Sequence, residues 1–287
     1  MKQKTVLLKK KSILTFFSLF LRYLILLIVF LFLLFPIYWM LVTSLKPNAE
    51  NYRVVPTFWP EEISFSGYIE LIKDGMFLNY YKNNLVVSGS TALLILFISV
   101  FTGYALSRIK IGWNKYLLAT FTLAQMFPVI SRLISLYGIL KNLHLTDTTL
   151  GLVLALSASQ IPFCVNLMAS FFDSIPEEIE EAAYIDGAGK VRTLFTVVVP
   201  LILPGLLAVG IYSFIMSWDD YLHAVTLLRS ENLWTLSQGL KLRYLGEVSD
   251  WQLINAASTL GTIPMIFVFF FFQKYMISGL TAGAVKG

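Results

Sequence analysis

The chain has one cysteine, Cys164, and two histidines, His144 and His223, among 287 residues. A lone thiol excludes an intrachain disulfide framework, and two imidazoles without metal-ligand spacing exclude a histidine-based metal centre. No phosphate-binding loop is present: Gly187-Ala188-Gly189-Lys190 lacks the required spacing and a preceding strand. No serine lies in a nucleophile motif, so catalytic chemistry is not indicated and no catalytic or metal-ligating residue is assigned. Charge is scarce as well, 14% against 57% hydrophobic residues, a balance that no water-facing surface of this size tolerates.

What is present instead is a series of long apolar runs. A window of roughly 20 residues predicts six spanning helices, near 20–43, 85–106, 116–138, 149–172, 201–218 and 254–273. The runs are too long for barrel strands and lack their alternation, so the fold class is an all-α polytopic membrane protein in contact with lipid. Basic residues set the orientation: Lys2, Lys4, Lys9, Lys10, Lys11 and Arg22 precede the first span, and Arg108, Lys110 and Lys115 crowd the second loop. By the positive-inside rule both regions are cytoplasmic, as are both termini and residues 174–200. The net charge of +5 is thus a topology signal and not a sign of nucleic-acid binding. The expected organisation is a basic N-terminus (1–19), a first span (20–43), an extracytoplasmic loop (44–84), a five-helix core (85–273) and a cytoplasmic tail (274–287). The first apolar run continues to Leu41 without a small-residue cleavage site, which argues against a secretory signal.

Proline interrupts four spans, at Pro128, Pro162, Pro204 and Pro264, and each break frees a carbonyl that a neighbour or water must satisfy. Polar residues fall in stripes, Gln125, Pro128, Arg132 and Ser135 in the third span and Asn255, Ser258, Thr259 and Thr262 in the sixth. Each stripe marks a helix face turned from lipid, through interhelical packing or a polar path. Arg132 is placed either to snorkel or to line that path. Gln160, Asn166 and Asn255 join Gln125 and Arg132 as candidate path residues. At the outer end of the fifth span stand Trp218, Asp219, Asp220 and Tyr221, a group suited to a hydroxylated ligand, to an external protein, or to a solvated helix end.

Between the fourth and fifth spans lies a polar, acidic segment, Ser174 to Pro200. Ser174 and Glu177 have capping-box spacing, Pro176 fits a first turn, Gly187 suits a helix stop, and Lys190 opens a second amphipathic stretch ended by Pro200. Ile179, Ala182 and Ala183 share a shallow face with Glu178 and Glu181 at its rim. Five carboxylates in this stretch disfavour an anionic leaflet, so the helix is expected to dock on a soluble partner.

Glu181-Ala182-Ala183, three residues, Gly187, nine residues, then Val197, Val199 and Pro200 resembles the EAA loop of ABC importer permeases, with valine at the two apolar positions. The terminal Gly279 to Gly287, after Gln273-Lys274-Tyr275, is similar to the tail of the smaller permease subunit of maltose-type carbohydrate transporters, and the likeness extends over most of the chain. The resemblance implies a type I ABC importer permease fold with a cytoplasmic coupling helix. It makes Glu178, Glu181, Ala182, Ala183, Asp186, Gly187 and Pro200 coupling residues, and Thr281, Gly283 and Lys286 tail contacts. It implies as partners a homologous permease, two ATP-binding subunits that hold ATP and Mg, and an extracellular or periplasmic sugar-binding protein. The chain itself would bind no cofactor. Asp219 stands where the family usually has asparagine, which leaves a family role for it open. A permease for peptide, phosphate or metal, or a membrane scaffold without transport, are the other classes compatible with the pattern.

Overall fold

The computed structural model describes residues 2–109, 112–245 and 250–282, with side chains over 18–109, 112–245 and 250–273. Among the described residues the regular elements are all helical. The chain divides into two units, Met1–Glu70 with Val248–Leu260, and Leu71–Glu247 with Gly261–Gly287.

In the first unit α1 (Lys2–Ser44) contains an apolar stretch, Ser18–Ser44, whose side chains from Leu19 to Phe35 are exposed. Such a helix keeps its backbone bonds internal and turns its apolar surface to lipid or to another apolar helix. Pro47 follows the end of α1 and leads into the one-turn α2 (Asn48–Asn51). The Ser44 hydroxyl lies 2.7 Å from the Tyr68 hydroxyl, on α3 (Ser66–Lys73). Gln252, in the first turn of α14 (Trp251–Ala282), meets Ser64 and Ser66 through its side chain and the Asn48 side chain through its N–H, which closes the unit.

In the second unit the Asp74 carboxylate accepts the Met76 N–H and starts α4 (Gly75–Arg108). Thr148 does the same for α7 (Thr149–Asp173) through the Gly151 N–H. Helix α4 packs along α7 and along α11 (Leu203–Trp218), and the three bury Ile95, Cys164, Met168, Phe172 and Val209 together. A Cβ at Gly103 would lie 3.0 Å from the Ala169 nitrogen and the Met168 side chain, so the absence of a side chain there permits the close crossing of α4 over α7.

Among the described residues four helices are long and apolar enough to cross a membrane, and up to six spans result when each of two bent pairs counts as one. The expected six are found in that count, but the third and fifth are not straight. Helix α5 (Asn114–Met126) meets α6 (Val129–Asn142) at 103°, because Pro128 has no N–H to continue the helix and Phe127 before it is extended. Gln125 on α5 therefore does not share a helix face with Arg132 and Ser135 on α6, and the stripe read through the third span is corrected. The fifth span begins at an 80° bend between Lys190–Leu201 and α11, with Pro204 in the first turn of α11. Pro162 and Pro264, in contrast, are accommodated inside α7 and α14.

Candidate functional site

The acidic segment is built around a proline stop and a glycine stop. Ser174 closes α7: its hydroxyl donates to the Phe171 carbonyl at 2.6 Å, and it holds a right-handed helical conformation. Pro176 caps α8 (Glu177–Ile185) with no side-chain cap bond. The capping box expected of Ser174 and Glu177 is thus not formed. Pro176 disfavours helical backbone at Ile175, so the new helix cannot begin before the proline, and the serine belongs to the preceding helix. Three glutamates in the first turn of α8 suit its positive end.

At the other end Gly187 adopts φ of +83°. Its N–H donates to the Tyr184 carbonyl at 3.0 Å and that of Ala188 to the Ala183 carbonyl at 3.0 Å, the paired bonds of a Schellman motif. Helix α9 (Lys190–Thr193) then runs through a π-turn, Leu194–Val198, into α10 (Val199–Leu201), which contains Pro200. Leu194, Val198 and Ile202 are buried against Ile95, Met168 and Phe172, so this second arm is seated in the core of α4, α7 and α11.

One carboxylate faces inward. Glu180 is 3% exposed; its Oε1 pairs with Arg108 Nε at 2.6 Å and its Oε2 accepts the Tyr104 hydroxyl at 2.6 Å. Arg108, the last residue of α4, also donates to the carbonyls of Phe172 and Ile175 at 2.9 and 3.0 Å, where α7 ends. Ser107 donates to Asp173 at 2.5 Å beside it. This interlock fixes α8 to α4 and α7. In the sequence alone Arg108 serves only as a topology marker, and Glu180 is one of the five carboxylates of the acidic segment.

The remaining acidic residues face outward. Glu178, Glu181, Ala182, Asp186 and Gly187 are exposed and Ala183 is half-buried. Ile185, 86% exposed, and Val191, 68% exposed, lie among them. Sequence reasoning missed this apolar pair, although Ile185 follows Ala182 at helical spacing. A cavity of about 520 Å³ opens between Arg108, Asp173, Glu177, Glu178 and Glu181. The surface offers small side chains, two apolar knobs and several carboxylates on a rigid mount, which is the chemistry of a docking face for a basic partner surface.

The candidate path residues do not form one group. Gln160 is buried and donates to Ser217 at 3.0 Å, joining α7 to α11, while Asn166 donates to Thr122 on α5 at 3.1 Å. Gln125 is exposed and bonds the Phe121 carbonyl; Arg132 is half-buried with its Nε unpartnered. Trp218 is buried, its indole N–H on the Gly261 carbonyl and its own carbonyl on the Asn84 amide. Asn255 belongs to the first unit.

Asp219 and Asp220 are not an equivalent pair. Asp219 is exposed, whereas Asp220 accepts the N–H of His223 and Ala224 and so caps α12 (Leu222–Leu227). Asp220 Oδ2 also bonds His223 Nδ1 at 2.7 Å, and His223 Nε2 lies 3.0 Å from the Ser159 hydroxyl. His223 itself is buried, 5% exposed. The Asp-His-Ser order is that of a hydrolytic triad. Ser159, however, lies in mid-helix, where the neighbouring backbone N–H groups are already spent on helical bonds and form no oxyanion hole. The chain of bonds straps α12 to α7. Tyr221 lies under the Lys241 ammonium, 4.5 Å from the ring centre. Thr281 is within α14 with its side chain outside the described residues, where Gly283 and Lys286 also fall.

Residues 12–281 match the family model described as binding-protein-dependent transport system inner membrane component. The chain is 37% identical over 256 residues to the sulfoquinovosyl glycerol transport system permease protein SmoH of Agrobacterium fabrum, covering 88% of this chain and 89% of that protein. It is 32% identical to the trehalose/maltose transport system permease protein MalG of Thermococcus litoralis, over 88% of this chain and 92% of the other. Among solved structures, a chain of a bacterial ABC transporter involved in import of the acidic polysaccharide alginate superposes with a TM-score of 0.79 at 26% identity, covering 89% of this chain and 95% of that one. The fold is that of an ABC importer permease, and the chain belongs to the family of binding-protein-dependent transport system inner membrane components.

Proposed function

We propose that this chain is a membrane-spanning subunit of an ATP-driven carbohydrate importer and that α8 is the element through which ATP hydrolysis moves it. The observation that carries the reading is the division of labour among the carboxylates of α8: Glu180 is locked inward on Arg108, while Glu178, Glu181 and Asp186 face out beside Ala182 and Gly187. A helix held this way transmits a push to α4 and α7 and is not free to swing. The relatives named for sulfoquinovosyl glycerol and trehalose/maltose transport support a carbohydrate as cargo.

In this scheme the acidic helix lies in the cytoplasm with both termini, as the basic residues in the N-terminal part of α1 and around Arg108 suggest. Two ATP-binding subunits hold ATP and Mg; one receives α8, and the other receives the corresponding helix of a homologous permease. Thr281, Gly283 and Lys286 would reach the ATP-binding subunits. A binding protein outside delivers the sugar, and the bends at Phe127–Pro128 and Ile202 let the spans exchange inward-open and outward-open arrangements.

The test is Glu181→Lys in the complete transporter. The variant should insert and assemble, hydrolyse ATP at the basal rate, and lose binding-protein-stimulated uptake of labelled sugar. Uptake at the wild-type rate would remove α8 from the coupling role.

A further inference from the structure

The first unit holds a cavity that the coupling scheme does not use. Its volume is about 340 Å³, and it is walled by Trp39, Thr43, Lys46, Glu50, Trp251 and Asn255, from the end of α1, the turn after it, α2 and the start of α14. That size suits a small molecule. Three features define what it accepts. Lys46 and Glu50 are 2% and 6% exposed, and Thr57 joins them, its carbonyl accepting from the ammonium and its hydroxyl donating to the carboxylate. The Glu61 N–H adds contacts of 3.3 Å to both carboxylate oxygens. Burial lowers the Lys46 pKa, and the charge of Glu50 opposes that shift. The wall thus carries one charge of each sign.

Trp251 presents a flat indole that is 43% exposed. Trp39 is already covered, by Phe35 stacked at 5.9 Å and by the Lys46 ammonium 4.8 Å from its ring centre. Thr43 is 7% exposed and its hydroxyl has no hydrogen-bond partner. A buried hydroxyl without a partner is a costly group that a ligand oxygen would satisfy. The Asn255 amide is held by the Trp251 carbonyl at 2.8 Å and keeps its own oxygen free to accept. One apolar wall with a ring of donors and acceptors matches a pyranose, whose C–H face is apolar and whose rim is hydroxylated. A phosphate or a uronic acid would meet the Glu50 carboxylate beside the Lys46 ammonium, so the wall offers an anion no net attraction.

We propose that this cavity is a saccharide subsite that takes one uncharged sugar ring, stacked on Trp251 and hydrogen-bonded by Thr43, Lys46 and Asn255. The proposal rests on the sugar-import reading and adds that the ring is neutral. The test is calorimetric titration of the full chain in phosphatidylcholine nanodiscs with raffinose, trehalose, diacetylchitobiose and an alginate trisaccharide, with a second set of discs containing phosphatidylglycerol. At least one neutral probe should bind saturably in both sets of discs. Binding should weaken about tenfold, the loss of one aromatic platform or one buried hydrogen bond, in Trp251→Ala and in Thr43→Val, and remain near wild type in Trp251→Phe. Absence of binding by every neutral probe, unchanged binding in Trp251→Ala and Thr43→Val, equal affinity for the alginate trisaccharide, or displacement by phosphatidylglycerol would each overturn it. Uptake by the complete transporter separates the two readings. Unchanged KM for a neutral sugar in both variants removes the subsite and leaves sugar import standing, whereas no uptake of any neutral sugar by the wild type removes both.

Discussion

Arg108→Ala is the substitution with the largest consequence that the structure implies away from any docking face. It leaves the Glu180 carboxylate, 3% exposed, with the Tyr104 hydroxyl and a 3.5 Å contact to the Tyr184 hydroxyl, and it removes the guanidinium bonds to the Phe172 and Ile175 carbonyls. Removing one member of a buried ion pair costs about 3–5 kcal/mol, because the surviving charge stays desolvated. The fold has a cheaper way out: α8 can lift from α4 and hydrate Glu180. The penalty then appears as local opening and not as global unfolding, and about 3 kcal/mol corresponds to a roughly 100-fold rise in the open population.

Hydrogen exchange of the assembled transporter reads this directly. The amides of Glu181 to Asp186 should exchange roughly 100-fold faster in Arg108→Ala, while those in the middle of α7 stay protected. Glu180→Gln on that background removes the buried charge and should restore much of the protection, giving a coupling energy of about 1–3 kcal/mol in a double-mutant cycle. Exchange within about threefold of wild type in Arg108→Ala, or strictly additive effects in the cycle, would refute the view that this pair holds the helix.

Gly187→Ala places a side chain at φ of +83° where open space surrounds it, so the cost is backbone strain of about 1–2 kcal/mol, visible as faster exchange at Gly187 and Ala188. Gly103→Leu should lower the thermal midpoint in detergent by several degrees, because its Cβ would meet the Ala169 backbone and Met168 at 3.0 Å; an unchanged midpoint would mean that α4 and α7 do not cross closely. The Asp147 carboxyl is held below the usual carboxylate range by the Ser230 hydroxyl and then by the N–H groups of Ser230 and Arg229. Its contribution to stability is complete above the unfolded carboxylate pKa, about 3.9, and is lost as pH falls through the lower folded value. Asp147→Asn should therefore lower the thermal midpoint at pH 7 and flatten its decline toward pH 3, and a decline as steep as in the wild type would disprove the link.

Composition and run length were enough to read the helices, since the bilayer leaves the backbone few alternatives. The bends were half legible. Pro128 and Pro204 announce a break, yet Pro162 and Pro264 look the same in the sequence and sit inside continuous helices. Whether a proline bends a membrane helix by 103° or is absorbed depends on whether neighbouring elements satisfy the freed carbonyl, and that is a tertiary fact. Asp219 and Asp220 were likewise indistinguishable as adjacent acids until α12 turned back and placed its N–H groups on Asp220.

The acidic helix shows where a sequence signal existed and went unread. Glu177, Glu178, Glu180 and Glu181 look alike in composition, and local spacing alone treats them as one solvated rim. Tyr104 and Arg108 stand four apart on α4, and Glu180 and Tyr184 stand four apart on α8, so each helix presents one phenol and one charge of opposite sign on a single face. Two such faces are complementary only if the helices meet, which makes the pairing a statement about tertiary structure written in local periodicity. Once Glu180 is spent on that contact, the helix has one orientation: Glu178, Ala182 and Ile185, at spacings of three and four, are forced onto the opposite side. The outward surface of α8 is therefore set by the residue that faces in, and a change at Arg108 should alter how Glu178, Ala182 and Ile185 are presented without touching any of them.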